Sequence, residues 1–249
     1  MDNNHLKGKT LCFLGDSITF GVGVKAGERY FDILEKEIGF KAYGFGVDGA
    51  KYINLYSQAQ KMHEMLDKNI DAIFIFAGTN DYNGSTPIGD WYDYSQEEII
   101  RLKNNDGSTA KTETRKLRTF NFDTNTFKGS INTLLSYLKR NYADKQIILM
   151  TPLHRAYAEF SENNIQYDEM HSNHAGLFME DYLEAIHEAA QIWATELIDL
   201  HSVSGLFPLY DEHAKYFANS ASDRLHPGKE GHRKIAKVLF RKLNNIPIF

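Results

Sequence analysis

The sequence predicts a single α/β domain over residues 1–249, built around a mainly five-stranded parallel sheet. Three observations carry this. Five short apolar runs rich in β-formers recur along the chain, longer segments with helical periodicity separate them, and most of the runs are apolar at successive positions. Strands covered on both faces read in this way, whereas a strand with one wet face alternates. Alternation of such strands with helices implies parallel pairing, because each crossover returns the chain to the same end of the sheet.

The first expected strand is Thr10–Leu14, and the helix Glu28–Ile38 follows it. Strand Lys41–Phe45 leads to a helix over Ile53–Lys68, and a third strand covers Ala72–Ala77. Helix Gly129–Asn141 precedes the fourth strand, Gln146–Thr151. A long helix over Ala175–Thr195 places Phe178, Tyr182, Ile186 and Ala189 or Ala190 on one stripe, which suits packing on a sheet. Strand Leu197–Leu200 and helix Lys229–Leu243 complete the pattern.

Residues Tyr82 to Phe127 break the rhythm with Gly84, Pro87, Gly89, Gly107 and the polar run Asn104–Thr109. An excursion of this length is either functional or a flexible surface feature. It reads as an insertion at about 82–127 beside the site, helical near Gln96–Lys103. Its aromatics Trp91, Tyr92 and Tyr94 either line the site or fold back on the core.

The charge balance is 33 acids against 28 bases, a net −5, which offers no basic field for a phosphate backbone, so no nucleic-acid partner is expected. The single cysteine, Cys12, lies in an apolar run and reads as a small buried hydrophobe. No apolar stretch approaches the roughly 18 residues of a membrane span. The opening residues Met1–His5 lack the basic and apolar regions of a signal peptide, so a cytoplasmic location and no membrane partner are expected.

In open parallel sheets, ligands bind beyond the carboxyl ends of the strands. The polar segments at those stations are Gly15-Asp16-Ser17, Gly46-Val47-Asp48-Gly49 and Gly78-Thr79-Asn80-Asp81, with Asp223-Arg224-Leu225-His226-Pro227 before the last helix. These residue types suit acyl transfer. A serine hydroxyl needs a histidine to take its proton, and that histidine needs a carboxylate to fix its tautomer. Ser17, His226 and Asp223 can fill those roles if the segment 223–226 turns tightly. The backbone N–H groups of Ser17 and Gly49 and the Asn80 side-chain amide are natural donors for an oxyanion. Taken singly, each has a plainer reading: Ser17 as a helix cap, His226 as a surface residue, Asn80-Asp81 as a turn.

Together, in this order, these four segments resemble the sequence blocks of the SGNH, or GDSL-type, serine hydrolases, from residue 10 to about 240. The resemblance implies a three-layer, flavodoxin-like α/β/α fold and ester hydrolysis that uses no metal or cofactor. It implies Ser17 as nucleophile, His226 as base, Asp223 as its partner, and Ser17, Gly49 and Asn80 as the oxyanion hole. Asp16, Asp81, Trp91 and Tyr92 are the candidate substrate-binding residues. Two positions depart from the family pattern: Gly44 stands where many members carry asparagine, and Asp48 where they carry serine. The expected substrate is a small acyl ester, acetyl on a carbohydrate, with the aromatic cluster stacking on the sugar. A lipid or acyl-thioester substrate is the alternative within the same family.

Rival motifs are weaker. Gly44-x-Gly46-x-x-Gly49 matches a dinucleotide fingerprint and would make the chain an oxidoreductase. It follows the second strand rather than the first, and Asp71 begins a strand where the ribose-binding acid should end one. His171-x-x-His174 lacks the glutamate or cysteines of a zinc motif, and ten histidines make such pairs by accident.

Overall fold

The computed structural model describes residues 4–248. Strand β1 (Thr10–Gly15) runs into the one-turn helix α1 (Ser17–Phe20) and then α2 (Tyr30–Ile38). Strand β2 (Lys41–Gly44), helix α3 (Tyr52–Leu66), strand β3 (Ala72–Phe76) and the short helix α4 (Thr79–Asn83) follow. A long hairpin, β4 (Tyr92–Lys103) and β5 (Thr109–Phe120), precedes α5 (Phe127–Asn141) and β6 (Gln146–Met150). Next come β7 (Ala158–Ser161), β8 (Asn164–Gln166), α6 (Met179–Ile192), β9 (Glu196–Ile198) and α7 (Leu200–Val203). The chain closes with β10 (Phe217–Asn219), β11 (Asp223–Pro227) and α8 (Lys229–Leu243).

The central sheet has the order β2-β1-β3-β6-β9 and every pairing in it is parallel. Its five strands are the five expected from the apolar runs. Both faces are covered, which explains why those runs do not alternate. Cys12, Leu14, Ile73, Ile75, Ile147 and Leu149 point into a core shared with α3, α5 and α6. Leu11, Phe13, Phe74, Phe76, Ile148 and Met150 point the other way, towards α2 and α8. The result is three layers, α/β/α. On the second face Phe13 is fully buried and stacked between Phe31 and Phe74, at centroid separations of 4.8 and 4.7 Å. Burial pushes the Cys12 thiol up to about 12, which suits an inert core residue.

Two features depart from the expected pattern. Gln96–Lys103 is strand, not helix: β4 pairs with β5 in antiparallel register from Tyr92↔Phe120 to Lys103↔Thr109. Helix-forming residues such as Glu97, Glu98 and Lys103 yield here to a threonine-rich partner and to the turn at Asn104–Ser108, where Gly107 takes φ +84°. Most of the hairpin is exposed on both faces, so no buried stripe announces its period. A second, antiparallel sheet, β10-β11-β7-β8, also lacks a counterpart among the expected elements. It carries the His226 segment and one wall of the site.

Candidate active site

Ser17 follows β1 after a single residue, Asp16. The Asp16 side chain accepts from the Ile18 N–H at 3.0 Å and shapes the turn that presents Ser17 at the start of α1. The Ser17 hydroxyl lies 2.9 Å from Nε2 of His226, and Nδ1 of that ring lies 2.9 Å from Oδ2 of Asp223. The other Asp223 oxygen accepts from the N–H groups of Leu225 and His226, at 3.1 and 3.0 Å. These two bonds curl the segment, so a spacing of three residues brings the carboxylate onto its own histidine. Burial opposes ionisation of Asp223, but the His226 contact and the two backbone donors outweigh it and hold the carboxyl below the usual carboxylate range. A hydroxyl, an imidazole and a carboxylate linked in this order can pass a proton from the serine to the ring.

The chain of hydrogen bonds opens into a cavity of about 330 Å³. Ser17, Gly49, Asn80 and His226 line it, with Val22, Asp48, Phe160, Asn164, Gln166 and Leu225. Gly49 has φ +73° and a Cβ there would meet no neighbour, so conformation rather than space calls for glycine. Among the described residues, the Ser17 and Gly49 backbone N–H groups donate to no protein acceptor. One Asn80 side-chain N–H binds the Ala50 carbonyl at 3.0 Å, which orients the amide at the cavity wall.

Three cavity residues come from the β7–β8 hairpin: Phe160, Asn164 and Gln166. Sequence reading did not single them out. The one local signal was the turn-forming pair Asn163-Asn164, which marks a hairpin but not where it packs. Phe160 lies against the His226 ring at 5.3 Å. Gln166 is held by Arg155, whose buried guanidinium donates to Gln166 at 2.8 Å and to the Thr79 hydroxyl at 3.2 Å. Arg155 therefore ties this wall to the segment that carries Asn80.

None of the four residues expected to bind substrate lines the cavity. Asp16 is buried under the Ser17 turn. Trp91 packs into the core beside α5 and α6, with its indole N–H 2.6 Å from Glu188 and Lys128 over its ring. Tyr92 packs on Phe120 and under Arg118 in the hairpin, and Tyr94 is exposed beneath Lys116. No residue of 82–127 is among those that line the cavity. The amphipathic rings of this insertion cover the base of the hairpin instead. Trp91→Ala is accordingly expected to cost about 3–5 kcal/mol of stability in urea unfolding. It should leave KM alike for sugar and aryl esters, and a selective rise for sugar esters would return Trp91 to the site.

Asp81 is fully buried and accepts from the Tyr52 N–H at 3.0 Å, the first backbone donor of α3. Burial pushes its carboxyl up to about 7. The folded chain thus keeps this proton through a window, from about pH 4 to pH 7, in which the unfolded chain has lost it. Its contribution to stability is complete below that window and is lost as pH rises through it. Asp81→Asn keeps the acceptor and carries no charge. The variant is expected to gain on the wild type between pH 5 and 8, by up to about 4 kcal/mol. A melting difference independent of pH would refute this account of Asp81.

The glycines of the dinucleotide-like motif also find plain roles. A Cβ at Gly44 would lie 2.6 Å from the Phe31 ring, and one at Gly46 would lie 2.5 Å from the Phe20 backbone nitrogen. Gly44 thus replaces the family's asparagine where Phe31 fills the space. Asp48, the second departure, stands exposed at the cavity mouth.

Comparison with curated proteins finds no match. Among solved structures, a protein from Lactobacillus plantarum superposes with a TM-score of 0.72 at 23% identity, over 98% of this chain and 100% of that one. A member of the lipolytic protein G-D-S-L family from Veillonella parvula gives 0.55 at 15% identity, over 95% and 99%. A mutant of an acetyl-xylooligosaccharide esterase from Geobacillus gives 0.53 at 18% identity, over 97% and 96%. At these identities the likeness is one of fold. The family model that matches residues 13–234 goes further, and with it this chain belongs to the GDSL-like lipase/acylhydrolase family of carboxylic ester hydrolases.

Proposed function

We propose that the chain is a serine esterase that removes a small acyl group, acetyl, from a carbohydrate. The observation that carries this reading is the hydrogen-bonded series Ser17–His226–Asp223 opening into a small cavity into which Asp48, Asn80, Asn164 and Gln166 also project. Ser17 Oγ attacks the ester carbonyl as its proton passes to Nε2 of His226, and the Asp223 carboxylate stabilises the imidazolium. The carbonyl oxygen takes up the charge and faces the N–H groups of Ser17, Gly49 and Asn80. The imidazolium then protonates the departing alcohol, which leaves an acyl-serine. Water attacks that ester with His226 again taking the proton, and the acid departs.

The size and lining of the cavity support the substrate class. About 330 Å³ is near the lower end for ligand sites, and Val22, Phe160 and Leu225 are its apolar side chains, enough to seat a short acyl group. A long acyl chain needs a longer apolar groove. Asp48, Asn164 and Gln166 offer hydrogen-bonding groups to a hydroxylated alcohol, and the Asp48 carboxylate disfavours an anionic one.

Hydrolysis of aryl esters from two to twelve carbons, with Ser17→Ala run in parallel, tests both parts. The expected profile peaks at acetate and vanishes in the variant. A peak at eight carbons or more would keep the nucleophile and move the substrate to lipids or acyl thioesters. Turnover independent of Ser17 at every length would sink the proposal.

A further inference from the structure

We propose that His154, Glu169 and His201 form a binding site for a divalent transition-metal ion of the zinc type, outside the Ser17 cavity. One ligand atom from each of the three side chains lies within 4.8 Å of the other two. The residues come from separate segments: His154 follows β6, Glu169 lies in the connection to α6, and His201 belongs to α7. None of the three lines the cavity around Ser17.

The chemistry of the cluster suits such an ion. Nδ1 of His201 is buried and has no hydrogen-bond partner among the described residues. An orphaned buried ring nitrogen is costly, and a metal ion is one of the few partners that would satisfy it. Glu169 is buried and bonded to Nδ1 of His154 through one oxygen, while the other accepts from the Arg155 N–H at 2.9 Å. The carboxylate is thus oriented by a backbone donor, as ligating carboxylates are. The two imidazole rings lie close together, tilted by 38° at a centroid separation of 3.5 Å.

Two imidazoles and one carboxylate select zinc and its neighbours over calcium or magnesium, which prefer oxygen ligands. Ligands that share an ion at about 2.1 Å each are at most roughly 4.2 Å apart, so small rotations of the rings close the site. A water completes the coordination, since His154 is partly open to solvent. Such an ion would pin three segments beside Arg155, which in turn holds Gln166 in the wall of the Ser17 cavity. Sequence spacing hides the trio because its members stand 15 and 32 residues apart, unlike the compact His171-x-x-His174 pair.

The test uses the full chain, stripped with a chelator and titrated with Zn²⁺ or Co²⁺. The expected result is binding of one ion, a visible Co²⁺ band of four- or five-coordinate type, and a higher melting temperature with metal. His201→Ala and His154→Asn should each weaken binding by at least about 100-fold, more than the loss of an outer-shell partner. His171→Ala should not. X-ray absorption at the zinc edge of the wild type counts histidine ligands without any variant, and two are expected. Absence of stoichiometric binding would overturn the proposal, as would binding that survives both substitutions or an edge spectrum without two histidines. The trio would then be a hydrogen-bonded support for Arg155.

Discussion

Ser17→Ala is expected to lower kcat/KM for acetyl esters by about 10⁴–10⁶-fold, the range set by other serine triads. The fold should remain intact, because the Asp16 carboxyl still accepts from the Ile18 N–H and alanine suits the first turn of α1. His226→Ala should lose about as much, and the double variant little more, since a nucleophile without its base and a base without its nucleophile are equally idle. Pre-steady-state kinetics with an aryl acetate make the result sharper. The wild type should release a burst of alcohol as acyl-serine accumulates whenever deacylation is the slower step. Each variant should release none. Substantial turnover in Ser17→Ala would mean that the carbonyl is attacked by something other than this hydroxyl.

Asn80→Ala is expected to lower kcat by roughly 10²–10³-fold with little change in KM. The reason lies in when the amide acts. Charge on the carbonyl oxygen develops only as Ser17 attacks, so a donor aimed at that oxygen stabilises the transition state more than the bound ester. The bond from Asn80 to the Ala50 carbonyl holds the side chain in place beforehand, so little reorganisation accompanies the reaction. The backbone donors of Ser17 and Gly49 remain in the variant, which bounds the loss. Asn80→Asp should be worse than alanine, because a carboxylate would face the developing negative charge. A rise in KM at constant kcat would instead make Asn80 a ground-state binding residue.

Several elements were legible in the sequence because their causes are local or strongly patterned. The five central strands match the apolar runs within a few residues, since burial on both faces leaves unbroken hydrophobic segments. Asp223 and His226 could be paired from their spacing because backbone donors within the same segment curl one onto the other. Ser17, Gly49 and Asn80 stand at strand ends, and parallel topology alone brings strand ends to one edge.

Other features depended on partners far away in the chain. Trp91 has the residue type of a sugar platform, yet a glutamate 97 positions on and a lysine of α5 draw it into the core. Asp16 and Asp81 look exposed and polar in their motifs, yet the backbone N–H groups of Ile18 and Tyr52 claim them. The helical tendency of Gln96–Lys103 gives way to pairing with β5. The wall made by Phe160, Asn164 and Gln166 reaches the site only because β7 pairs with β11. Hydrophobic period and turn chemistry act over a few residues, so the sequence by itself determined the sheet, its helices and the stations of the candidate triad. Hydrogen-bond partners and cavity walls are chosen across the fold, so tertiary structure alone decided which polar and aromatic side chains line the cavity and which hold the core.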